Sequence, residues 1–215
     1  MKFLLAKEFS LAIHPTNILF MFLSAMMLIP NYPYYVIFFY TSLGIFFICL
    51  TGRENHDIFY SMLLPVRKRE IVKARIWLAV ILEAAQLIFC LPFAVIRGTF
   101  NMQGNEVGMD ANIAFFGISL IIIGIFNFAF FRRYYSSPDK TGKAFVWASI
   151  IEFICITIFE TCAHVIPFFK NELDTPDPEN LTQKLIVLSG GIIIFMALTI
   201  SAYKISVKAF EKLDL

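Results

Sequence analysis

GRENHDIFYSMLLPVRKREIVKAR, residues 52–75, is the longest run in this 215-residue chain that is not mostly apolar. Greasy segments flank it on both sides. It holds six of the eighteen Lys and Arg residues: Arg53, Arg67, Lys68, Arg69, Lys73 and Arg75. A basic connection between two membrane spans belongs on the cytoplasmic face. The run is too long and too patterned for a plain turn. Ile58, Phe59, Met62 and Leu63 recur at i, i+1, i+4 and i+5, which is one face of a short helix. Pro65 disfavours helix at Leu64 and breaks the run. From Arg67 a second helix can start and continue into the next span. The stretch therefore predicts a short amphipathic helix outside the bilayer, either presented to a cytoplasmic partner or resting on the lipid surface.

Outward from this loop the chain reads as membrane. Hydrophobic residues make up 59% of it and charged residues 16%, which excludes an ordinary soluble domain. Twenty-five phenylalanines and eight tyrosines suit lipid-facing surfaces and interface belts. The pattern predicts one all-α transmembrane domain over 1–215, with six spans at about 16–29, 34–51, 76–96, 113–131, 144–168 and 183–203. Each approaches the roughly 20 residues that cross a bilayer as helix. Residues 1–13 read as an amphipathic helix lying flat on the cytoplasmic face and turning into the membrane at His14-Pro15. A secretory signal fits worse: Lys7, Glu8, His14 and Pro15 interrupt the apolar run, and no small-x-small site follows. With both termini inside, fifteen of the eighteen Lys and Arg residues are cytoplasmic, and only Arg97, Lys170 and Lys184 are outside. That asymmetry predicts a cell-membrane protein with six spans and two cytoplasmic ends.

The loop also carries a resemblance. An acidic residue (Glu54 or Asp57), a short apolar helix over 58–63, then Leu64, Pro65, Arg67, Ile71, Val72 and Arg75 ahead of a span resemble the cytoplasmic loop of type-2 ABC transporter permeases. The entry helix and span count are similar too. The resemblance implies a permease subunit of the small bacterial peptide and drug exporter kind. Its loop helix would be the coupling helix, docking on a separate ABC ATPase subunit through Glu54, Asp57, Ile58, Phe59, Met62, Leu63, Leu64, Pro65 and Arg67. It further implies a second permease chain, identical or homologous. This chain would hold no cofactor; ATP and Mg would sit on the partner, which would carry the enzymatic activity. Amphipathic or antimicrobial peptides, or drugs, would be the cargo. The outer loops are shorter than those of the lipid and sterol exporters of that family.

Three carboxylates fall within spans, Glu83, Glu152 and Glu160, and His164 joins them near the outer end of the fifth. Intramembrane ionisable groups are costly and face a protein interior or a water-filled cavity. Around a helix, Glu152 and Glu160 stand about 80° apart and Glu160 and His164 about 40°, so all three can share one face. They line a substrate path or subunit interface, or they are structural. Glu83 reads as structural, paired with Arg75 or a base on a neighbouring span. An intramembrane enzyme built on Glu152, Glu160 and His164 is the alternative class, and a non-transporting scaffold or immunity protein a third. An i,i+4 Glu–His pair supplies too few ligands for a metal. Gly190-Gly191 permits close helix approach. Cys49, Cys90, Cys155 and Cys162 lie in apolar segments and read as reduced, small apolar residues. Asn180-Leu181-Thr182 matches a glycosylation acceptor by chance-level pattern. Asp139-Lys140-Thr141-Gly142 is a polar turn; a pump phosphorylation motif would continue with Thr where Lys143 stands. No P-loop, H-E-x-x-H or G-x-S-x-G occurs. Membrane flanks explain the basic loop better than nucleic acid does.

Overall fold

The computed structural model describes residues 2–13, 15–100 and 104–213. His14 of the expected entry turn, residues 101–103 of the polar stretch 97–112 and the last two residues of the tail lie outside them. Eight α-helices follow in order: α1 (Lys2–Lys7), α2 (Pro15–Phe22), α3 (Val36–Glu54), α4 (Asp57–Leu63), α5 (Lys68–Thr99), α6 (Ile113–Tyr134), α7 (Thr141–Val165) and α8 (Leu181–Glu211). Five of them are long and apolar enough to cross a membrane, or six spans if the bent α1–α2 unit counts as one. The protein is an all-α membrane protein.

The chain enters through a tight elbow. α1 widens into a π-helical turn, Glu8–Ala12, and the axis then bends by 78° into α2. α2 finishes as a 3-10 helix, Leu23–Leu28. A 3-10 turn rises about 2.0 Å per residue against 1.5 Å in α-helix, so these fourteen residues reach about 24 Å. That geometry is how a short apolar run spans most of a bilayer. At 32 residues α5 is much longer than the expected span 76–96. It extends roughly 48 Å, against a hydrocarbon core of about 30 Å. Its first two turns therefore stand outside the bilayer and carry the basic residues of the loop.

Lipid offers no hydrophobic drive between helices, so association rests on close packing and hydrogen bonds. α6 is the most enclosed helix, and its seam with α8 is the most extensive in the bundle. Gly117 and Gly191 make that seam: a Cβ on Gly191 would stand 2.1 Å from the Gly117 carbonyl oxygen. Gly190 has open space around it. Only the second glycine of the pair read from the sequence is the packing residue. Asn112 caps α6, accepting the Phe115 N–H at 3.0 Å.

Two apolar cores lie one above the other. One, at the α4 end, gathers Ile45, Val72, Ile76, Ala79, Phe126, Phe130, Ala148 and Ala202. The other gathers Phe38, Cys90, Phe115, Ile118, Ile123 and Ile156. Between them the long helices bring buried polar side chains, Ser42, Glu83, Asn127 and Glu152 among them.

Candidate functional site

α4 is the one short helix between two apolar spans. His56, in the left-handed region at φ 51°, turns the chain out of α3, and Leu64, extended as a residue before proline must be, ends α4. The two faces differ. Ile58 and Met62 pack against the core at this end of the bundle. Phe59, Tyr60, Leu63 and Leu64 are half or more exposed. The apolar face expected as Ile58, Phe59, Met62 and Leu63 is thus split, half seated and half presented. Tyr60 belongs to the presented crest; sequence periodicity missed it because it falls outside the i, i+4 pattern. Glu54, Pro65 and Arg67 are exposed at its rim. Glu54 touches only Arg53, at 3.8 Å, a solvent-exposed pair of little weight.

Asp57 points the other way, into the protein. It accepts from Lys7 at 2.6 Å and from the Arg75 guanidinium. Arg75 also pairs with Glu8 at 2.6 Å and donates to the Ile48 carbonyl of α3 at 3.2 Å. Arg75 and Glu8 side chains are 4% and 2% exposed. One guanidinium therefore ties α1, α3, α4 and α5 together. Gly52 makes this possible, since a Cβ there would sit 3.0 Å from Arg75 Nη1. The expected Glu83–Arg75 pair does not form: Arg75 is taken by Glu8 and Asp57, and Glu83 accepts from Asn127 of α6 at 3.0 Å. Lys7 and Glu8 of the entry helix face inward for the same reason. Phe3 and Leu11 are left exposed on its outer side.

The carboxylates of α7 part company. Glu152 is fully buried and accepts from Ser42 of α3 at 2.8 Å. Glu160 accepts the Met109 N–H at 3.0 Å, and His164 Nε2 lies 3.0 Å from the Val107 carbonyl. These two fasten the loop 104–112 over the far end of the bundle. Neighbouring bonds extend that cap. Asp174 accepts the Asp110 N–H at 2.7 Å, and the Asn112 amide donates to the Leu173 and Thr175 carbonyls. Lys184, fully buried, is held by the Thr175 and Pro176 carbonyls and by Asp177. Burial pushes the Asp174 carboxyl above the ordinary carboxylate range, against the pull of the Asp110 N–H it accepts. Asn127 and Ser42 were not singled out from sequence, and Glu8 and Lys184 were read there only as charges. The lone Asn127 in an apolar run was the clearest signal available.

Glu160 and His164 are thus occupied by loop backbone, and Glu152 by α3. Among the described residues no cluster of His, Cys, Asp and Glu is grouped to hold a metal. The four cysteines are free thiols.

A bundle of long apolar helices, with a short helix carrying exposed apolar side chains at its end, defines a multi-pass membrane protein. The model of the family described as ABC-2 family transporter protein matches residues 3–211. The chain belongs to that family: it is a permease of the ABC-2 type, and membership implies an ABC ATPase as its partner. No curated relative and no solved structure matches it.

Proposed function

We propose that this chain is the permease of an ATP-driven bacterial exporter, and that α4 is the helix on which the ATPase subunit docks. One observation carries the reading: Phe59, Tyr60, Leu63 and Leu64 are exposed on a helix whose base is fixed by Asp57 to Lys7 and Arg75. Exposed apolar side chains on an element outside the spans mark a protein contact. A fixed base makes a handle that moves as a unit with α1 and α5. Two permease chains and two ATPase subunits would form the working complex, with ATP and Mg bound on the ATPases. The excess of basic residues on alternate connections supports cytoplasmic termini and a cytoplasmic α4. Amphipathic or antimicrobial peptides, or drugs, are the proposed cargo, by analogy with small exporters alone. The intramembrane enzyme gains no support from Glu160 and His164, since Glu160 Oε2 and His164 Nε2 each bond the backbone of the loop 104–112.

The test is Phe59→Ala with Leu63→Ala, in membranes that also contain the ATPase. Transport should fall at least tenfold, about the factor that one or two lost apolar anchors give, while permease abundance stays level. Unchanged transport in a variant that reaches the membrane would overturn the docking assignment.

A further inference from the structure

The layer between the two apolar cores has an unmet need. Glu83 is 1% exposed and Glu152 is wholly buried, at mid-bundle, on α5 and α7. Their hydrogen-bond partners are neutral: Asn127 for Glu83, Ser42 for Glu152. Asn127 in turn reaches Thr199 of α8 at 3.5 Å, and Cys155 lies one turn along from Glu152. Among the described residues neither carboxylate has a salt bridge. The nearest basic residue on α5 is Arg75, two turns or about 12 Å from Glu83, and it is committed to Glu8 and Asp57. One oxygen of each carboxylate, Glu83 Oε1 and Glu152 Oε2, has no partner, and neither has Asn127 Oδ1. Hydrogen bonding alone asks only for glutamine at these positions. A carboxylate in the bilayer interior needs a counter-charge, and the described residues place none beside this pair.

We propose that Glu83 and Glu152 are the binding site for a positively charged group of the cargo, an ammonium or guanidinium. Between cargo molecules a proton neutralises each carboxyl, as for any buried acid without a partner. The proposal rests on the permease reading and narrows its cargo to cationic compounds. Placement suits it. The pair spans α5 and α7, and α7 is among the least enclosed helices, meeting α3 at this level through one hydrogen bond, Ser42–Glu152, and the Phe39–Phe153 and Phe46–Phe145 ring contacts. The α6–α8 seam is locked by Gly117 and Gly191. Separation of α7 from α3 opens the layer without breaking that seam.

Dicyclohexylcarbodiimide tests the site in membranes holding the intact complex. A protonated carboxyl adds its O–H across a C=N bond of the reagent, and acyl migration to nitrogen leaves a stable N-acylurea on that glutamate. A bound cation replaces the proton and blocks the addition. Peptide mass spectrometry should locate adducts on Glu83 and Glu152. Decylammonium should slow their formation by about tenfold, and decanol, equally greasy but neutral, should not. Glu160, two turns along α7 beside the loop 104–112, also has one unpartnered oxygen but has its other oxygen on the Met109 N–H; it is the internal reference and should react at the same rate with either additive. Equal rates at Glu83 and Glu152 with decylammonium and decanol would overturn the proposal, and so would the absence of adducts on both. Protection of the pair in a native chain that retains no ATPase would keep the cation site and remove the docking reading.

Discussion

Arg75 holds the most consequential side chain. Its guanidinium meets Glu8, Asp57 and the Ile48 carbonyl with donors held in a rigid planar fork that a lysine ammonium lacks. Arg75→Ala takes the guanidinium from Glu8 and Asp57 and leaves Lys7 as the one cation beside both. Breaking a buried pair from one side costs about 3–5 kcal/mol. The expected result is loss of monodisperse permease on size-exclusion chromatography, with Arg75→Lys only partly restoring it. The glycines of α8 give a sharper comparison. Gly191→Ala drives a methyl into the Gly117 carbonyl and should cost about 1–3 kcal/mol by overpacking. Gly190→Ala meets nothing and should be near neutral. Thermal unfolding of the two purified variants checks both, and similar melting would count against the seam. At this scale sequence reading was least complete. Gly-Gly signalled close approach but not which glycine makes it. Arg75 and Glu83 share a helix two turns apart, so a pair between them was natural; the competing partner, Glu8, comes from sixty-seven residues upstream. Only the folded elbow brings it there.

At the scale of elements, α4 has one seated and one presented face. Replacing seated residues and presented residues should therefore have different effects. Ile58→Ala with Met62→Ala removes packing against the core and should lower permease stability by about 2–5 kcal/mol per buried large side chain at most, less for these half-buried ones. Tyr60→Ala with Leu64→Ala should leave melting unchanged and weaken ATPase retention in pull-down. Reversed outcomes for the two pairs would mean that the faces are misassigned. The existence of α4 was legible from Asp57, the apolar repeat and Pro65. Its orientation was not, because periodicity gives a face and does not say whether the protein or a partner covers it. α1 shows the same limit. Its apolar residues and Lys7–Glu8 marked it as amphipathic, yet its charged side faces the protein, drawn there by Arg75.

For the whole molecule, the spans could be read because an apolar helix crossing lipid must satisfy its own backbone, which forces long greasy runs. The outer cap could not: Glu160, His164, Asp174 and Lys184 meet backbone atoms of distant loops, and no local pattern encodes that. Orientation rests on charge asymmetry and is open to a direct check. Ser136→Cys, on the connection between α6 and α7, should react with an impermeant maleimide only in inside-out vesicles. Glu179→Cys, on the connection between α7 and α8, should react only in right-side-out ones. The opposite pattern would invert the molecule and place α4 outside.

The central claim is that this permease works through an ATPase docked on α4. Purification of the tagged chain from its own host in mild detergent, with mass spectrometry of what accompanies it, tests that claim most directly. The account predicts an ABC ATPase in stoichiometric amount, retained by the native chain and lost with Phe59→Ala and Leu63→Ala. A native chain that arrives folded and alone, or an ATPase held equally well by that variant, would contradict it.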